Sequence, residues 1–130
     1  MQPLVNFQIR TNEISIKDNH LPEGQFNIPS KLTRNIIKSD EGRSEVELVL
    51  EIANSEETPF PIDLRISLTG IFEVSALPPE EVDGFLKIQA VQILFPYMRT
   101  MASSITAGAM MPPIILPVVD VKSLFPEEEN

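Results

Sequence analysis

Chemistry needs particular side chains at particular spacings, and this chain is poor in them. His20 is its one histidine, so a single chain offers neither a multi-histidine metal site nor a His–His acid–base pair. Cysteine is absent, which removes thiolate nucleophiles, thiolate metal ligands, redox pairs and disulfides together. No serine lies in a nucleophile-elbow pattern, and neither a P-loop nor a Gly-x-Gly-x-x-Gly run occurs. Carboxylate pairs such as Glu45 and Glu47 sit on alternate positions of a strand-like run, where water keeps them ordinary, whereas general acid–base work needs a dry, shaped cleft. No enzyme activity, no metal and no cofactor are therefore expected. Whatever the chain does, it should do by surface and shape.

The elements that would present such a surface are legible as two periodicities. From Glu45 to Ile52 the even positions are apolar and the odd ones mostly acidic. From Phe60 to Val74 the pattern repeats, with Phe60, Ile62, Leu64, Ile66, Leu68, Phe72 and Val74 on one side and Asp63, Arg65, Ser67, Thr69 and Glu73 on the other. Both runs read as antiparallel strands with one buried and one wet face, joined by a turn over Asn54–Pro59. Earlier, Val5, Phe7 and Ile9 alternate, and Ile14 and Ile16 then take the opposite parity, which predicts a bulge around Thr11-Asn12-Glu13. Leu21 to Pro29 is a loop, and Lys31 to Lys38 a further strand closed by Ser39-Asp40-Glu41-Gly42. Four strands in succession imply a meander.

After Ala76 the period becomes helical. Leu77-Pro78-Pro79-Glu80-Glu81 is a helix start, with proline tolerated in the first turn and carboxylates at the positive end of the dipole. Val82, Leu86, Ala90, Ile93, Leu94, Tyr97, Met101 and Ile105 then form a stripe, and Gly108 is the expected C-cap. Pro96 stands inside this helix and should kink it. Met111 to Pro117 is extended, a short helix is expected over 120–125, and Pro126 to Asn130 is an acidic tail. The fold class is thus α+β: a four-stranded antiparallel meander with one long kinked helix and one short terminal helix. It forms a single domain over 1–130, with strands over 5–17, 31–38, 44–54 and 60–76 and helices over 79–107 and 120–125.

Ten basic against nineteen acidic residues give a net charge of −9. Phosphate backbones and anionic bilayers are repelled by such a charge, so neither nucleic-acid binding nor direct membrane insertion is expected. No leader of the secretory kind begins the sequence and no apolar run approaches the ~18 residues of a membrane span, which points to the cytoplasm.

Residues Gly70 to Phe125 closely resemble the C-terminal half of the SecB export-chaperone family. The resemblance rests on Gly70-Ile71-Phe72 at a strand end, Leu77-Pro78 at the helix start, Leu94-Phe95-Pro96-Tyr97 inside the helix, and then Met111-Pro112-Pro113 and Leu116-Pro117. The order and spacing of these five elements are specific in a way that no single one is. The acidic strand and Glu57-Thr58-x-Phe60 extend it upstream to about Ser44. Before that it rests on Phe7-Gln8-Ile9 and the interrupted first strand. The pairing of an aromatic residue with glycine before the double proline is here Met110-Met111.

The resemblance implies an ATP-independent holdase for unfolded or export-bound chains, assembled as a homo-oligomeric dimer of dimers. Its client groove would be lined by Phe7, Phe60, Ile62, Leu64 and Met111. An acidic docking face of Glu45, Glu47, Glu51, Asp63 and Glu73 would receive a partner such as the translocase motor SecA. Counted from Gly70-Ile71-Phe72, however, the motor-docking position becomes Arg65. Pro96, Tyr97, Met98 and Met101 would form the oligomer interface. Two other readings stand beside it: a SecB-like chaperone dedicated to one partner such as an antitoxin, and a structural oligomerisation or adaptor domain without clients.

Overall fold

The computed structural model describes residues 5–22, 24–39, 42–117, 121 and 125. Four strands, β1 (Phe7–Asp18), β2 (Ser30–Lys38), β3 (Arg43–Ile52) and β4 (Ile62–Glu73), form one antiparallel sheet. Helical residues follow as α1 (Pro79–Gly84), a π-helical turn over Phe85–Gln89, and α2 (Ala90–Gly108), joined without a break. The class is α+β, as expected. The strand order is not that of a four-strand meander. Only β2, β3 and β4 are consecutive neighbours, and β1 lies beside β4 in the order β1-β4-β3-β2, a Greek-key arrangement. The connection over Asn19–Pro29 is too long for a hairpin turn but ample to cross three strand spacings, roughly 14 Å.

Register explains the change of parity in β1. Thr11 pairs with Leu68 and Glu13 with Ser67, leaving Asn12 as an extra residue. Phe7, Ile9 and Thr11 before the bulge, and Ile14 and Ile16 after it, consequently share the inner face. On that face Val46, Leu48, Leu50, Ile52, Ile62, Leu64, Ile66, Leu68 and Phe72 are at most 3% exposed. Each such side chain contributes about 1.5–3 kcal/mol by leaving water. Gly70 interrupts the row because a Cβ there would stand 2.5 Å from the Phe72 ring and 3.0 Å from Leu94. At the other end of β2, Gly42 turns the chain toward β3 with φ of 77°. Asp40 and Glu41 of that turn lie outside the described residues.

The helix covers the inner face, but not with the stripe its large residues suggest. Leu86, Ala90 and Leu94 are buried as expected, and the buried row then continues through Met98, Ala102 and Thr106. That row is made at its end by the small side chains at 102 and 106, and Tyr97, Met101 and Ile105 are left half-buried or exposed along the flank. Regular α-geometry is lost at the π turn, whereas α2 runs through Pro96. Within that turn the Lys87 carbonyl accepts a hydrogen bond from the Arg34 guanidinium, and the Phe85 ring meets Phe72 edge-on at 5.6 Å. A widened turn of this kind bends a helix as proline does.

The helix closes one residue later than Gly108. Met111 N–H donates to the Thr106 carbonyl at 2.9 Å and Met110 N–H to that of Ala107 at 3.1 Å, a Schellman motif. Its left-handed position is Met110, with φ of 63°. The buried Thr106 hydroxyl donates to the Ala102 carbonyl at 2.8 Å and accepts from Ile114 N–H at 2.9 Å, and Arg99 Nε donates to the Leu116 carbonyl at 3.0 Å. These bonds seat the extended segment after the helix. The helix expected over 120–125 lies outside the described residues except for Val121, which is buried, and Phe125, whose ring is 4.4 Å from the Arg34 guanidinium. The tail from Pro126 onward also lies outside them.

Left-handed geometry costs a non-glycine residue about 1–2 kcal/mol, and a new glycine returns about 0.4–1 kcal/mol of that as unfolded-chain entropy. Since the Met110 side chain is 93% exposed and has little packing to lose, Met110→Gly should stabilise the protein by about 0.5–1 kcal/mol in urea denaturation. A lower midpoint would show that the methionine makes a stabilising contact.

Candidate functional site

An apolar site with a hydrogen-bonded scaffold lies where β3 turns into β4. Its scaffold is polar. The Asn54 side-chain oxygen accepts from Phe60 N–H at 2.9 Å, and Asp63 Oδ1 accepts from Asn54 N–H at 2.9 Å. Asn19, at the end of β1, donates from Nδ2 to Asp63 at 2.9 Å and to the Phe60 carbonyl at 3.1 Å, and its own N–H reaches the Pro61 carbonyl at 2.8 Å. Ser55 Oγ accepts from Thr58 N–H at 3.0 Å and tightens the turn. Pro59 and Pro61 fix φ on either side of Phe60. The result is a rigid platform carrying the Phe60 ring, with Ile62 and Leu64 continuing inward from it. All three are buried, at 7%, 3% and 2% exposure. What lies against Phe60 is the chain's own Phe26, ring centroids 6.4 Å apart and nearly perpendicular.

The expected groove residues fall in three places. Phe60, Ile62 and Leu64 are together. Phe7 pairs with Phe72 at the opposite end of β4, eight residues or roughly 26 Å from Leu64; it is 41% exposed and tilted against the Phe72 ring at 5.8 Å. Met111 belongs to the cap of α2 and packs, half-buried, against the core. A feature not anticipated is an open groove of about 770 Å³ beside the π turn, lined by Val5, Leu77, Pro78, Phe85, Ile88 and Gln92 among others. Its sequence signal is the spacing of 85, 88 and 92 on one helix face.

Glu45, Glu47, Glu51, Asp63 and Glu73 all point to the outer face of the sheet, as their register requires. None faces water alone. Arg65 lies between Glu13 and Glu51, at 2.8 and 3.0 Å. Arg10 reaches Glu45 at 3.4 Å and Arg43 reaches Glu73 at 3.9 Å. Glu47 accepts from Asn35 at 2.9 Å and from the Ser67 hydroxyl at 2.8 Å, and these bonds hold its carboxyl below the ordinary range. The bulge residue Asn12 donates to Ser67 and Thr69, which are buried on this face. Hydrogen bonding to Glu13 raises the Arg65 guanidinium's already high pKa. The face is a paired mosaic rather than a field of one sign.

Of the expected interface, Pro96 is exposed, Tyr97 is 49% exposed and Met101 is half-buried. Met98 is corrected: it is fully buried in the core, one helical position round from Tyr97. Among the described residues no three carboxylate, histidine or cysteine groups cluster as a metal site, and no helix is long and apolar enough to cross a membrane.

The described residues thus form a Greek-key sheet backed by one long helical element, with an apolar platform where β3 turns into β4. The model of the family described as SecB, preprotein translocase subunit SecB, matches residues 5–130, and the chain belongs to that family of chaperones. It is 27% identical over 136 residues to the protein-export protein SecB of Chromobacterium violaceum, covering 98% of this chain and 89% of that one. To the SecB of Ruegeria pomeroyi it is 30% identical over 128 residues, with 98% and 66% covered. Similarity to the protein MJ0357 of Methanocaldococcus jannaschii is higher, 37% over 85 residues, but spans 63% of this chain and 55% of that protein. Among solved structures, the SecB-like chaperone Rv1957 of Mycobacterium tuberculosis, bound to a ChAD peptide from the antitoxin HigA1, superposes with a TM-score of 0.72 at 14% identity, over 89% of this chain and 91% of that chain; the likeness is one of fold.

Asp63 is the hinge of the platform, and its carboxyl is held below the ordinary range, first by Asn54 N–H and then by Asn19. A depressed pKa means stability present above the unfolded value, here 3.8, and lost as pH falls through the folded one. Asp63→Asn should therefore lower stability at pH 7, by under about 1 kcal/mol once solvent screening is allowed for, and progressively less below about pH 4. Thermal melts across pH 7 to 2.5 test this; a difference constant with pH would show that the carboxylate's charge contributes nothing.

Proposed function

We propose that this chain is an ATP-independent holdase that captures unfolded polypeptides through apolar side chains. The observation that carries the reading is the platform of Phe60, Ile62 and Leu64, held by a hydrogen-bonded turn, with its Phe60 ring met by Phe26 of the same chain. Family membership supplies the class of activity, and the cytoplasm is the location that goes with it. Binding by apolar contact and backbone pairing has low sequence specificity, as extended clients demand.

Delivery to SecA is the finer part of the reading, and the outer face bears on it. An encounter steered by charge needs a net potential, and Arg65, Arg10 and Arg43 offset the acidic row at short range. That observation favours a second reading, a chaperone dedicated to one partner; the fold neighbour solved with an antitoxin peptide is an example of such a pairing. The flank of Tyr97, Met101 and Ile105 is the surface a second copy would cover. Light scattering should then give a multiple of the 14.6 kDa chain mass, and a monomer would remove this element.

Diluting a denatured, slow-folding protein into buffer tests the main proposal. A stoichiometric excess of this chain, without ATP, should suppress light scattering at least severalfold. Aggregation at an unchanged rate would refute the holdase reading.

A further inference from the structure

Building on the holdase reading, we propose that Phe26 is an internal occupant of the client site, and that the ligand displacing it is an aromatic side chain of an extended, unfolded polypeptide. The Phe26 ring stands edge-on to Phe60 at 6.4 Å and an interplanar angle of 79°, a favoured arrangement for two aromatic rings. Its own segment is weakly held. Among the described residues, no hydrogen bond or ion pair involves Gly24 to Ile28. Gly24, Gln25, Asn27 and Ile28 are exposed, and Phe26 alone of the five is half-buried. Apolar contact by that one ring is what keeps the segment in place.

The platform beneath does not depend on this cover. Phe60 is fixed through both its N–H and its carbonyl, by Asn54 and Asn19, and Asn19 is anchored in turn on Asp63 and Pro61. When Phe26 leaves, the site therefore keeps its shape, and the newly bared surface is the face of the Phe60 ring that Phe26 had met. The bared surface is an aromatic ring, so the ligand it suits is apolar. Edge-to-face geometry with Phe60 selects an aromatic ring. A client ring replaces Phe26 like for like, and the exchange lowers apparent affinity by the fraction of time the site is open.

Removing the competitor should raise affinity, the opposite of what removing a groove wall or a core residue does. The probe is a fluorescein-labelled, 15-residue unfolded peptide with a single central phenylalanine, compared by anisotropy with the same peptide carrying serine there. Phe26→Ala should bind the phenylalanine peptide about tenfold more tightly than the wild type and leave the serine peptide weak. Equal or weaker binding by the variant, with the wild type still binding, overturns the inference alone. No binding by either protein overturns the holdase reading and the inference with it. Should Phe26→Ala fail to fold, Phe26→Trp provides a second readout, since the chain has no other tryptophan. Unlabelled phenylalanine peptide should red-shift the introduced indole's emission as the ring is expelled into water, and an unchanged spectrum overturns the proposal.

Discussion

Side chains along a strand alternate strictly, so one extra residue reverses every later side chain unless the backbone absorbs it. In this protein the inner face of the sheet must stay apolar across four strands, and β1 carries that extra residue. Asn12 absorbs it. Without the bulge, Ile14 and Ile16 would face outward beside Arg65, and Glu13 would be driven against the core. The bulged residue also has partners suited to it, since its amide reaches the hydroxyls of Ser67 and Thr69 on the outer side. A single polar side chain thus reconciles the phase of an edge strand with the burial of its neighbour.

The same division of faces separates two kinds of surface. The inner face turns its apolar area toward the helix, and beside the β3–β4 turn the Phe26 ring of the loop adds a contact to Phe60. The outer face spends its charge on itself. A chain with a net charge of −9 could have presented a uniformly acidic sheet, yet arginines stand at close range to Glu13, Glu45, Glu51 and Glu73. The net charge favours solubility, and on the sheet it is broken into pairs at close range.

Period-two runs, the bulge, the turn before Phe60 and the α+β class were legible because each is dictated by local alternation or by proline and asparagine chemistry. Strand order was not, because alternation says which face a residue occupies and nothing about which strand lies beside it. Met98 was misplaced because the buried row runs on through Ala102 and Thr106, small residues that a stripe of large apolar side chains does not reveal. The left-handed cap fell on Met110 rather than Gly108 because hydrogen bonding to the Thr106 and Ala107 carbonyls, not glycine content, fixes where the helix stops. Phe26 escaped notice for a related reason: a lone aromatic in a loop has no period, and its role depends on Phe60, thirty-four positions away.

Location of a bound client is the most direct test of the whole account. A benzophenone placed at the aromatic position of an unfolded client should, on irradiation, cross-link to residues of the β3–β4 turn and the adjoining loop, around Asn54 to Leu64 and Gly24 to Ile28. Cross-links confined to the outer face around Glu45 and Arg65, or none above background, would contradict it.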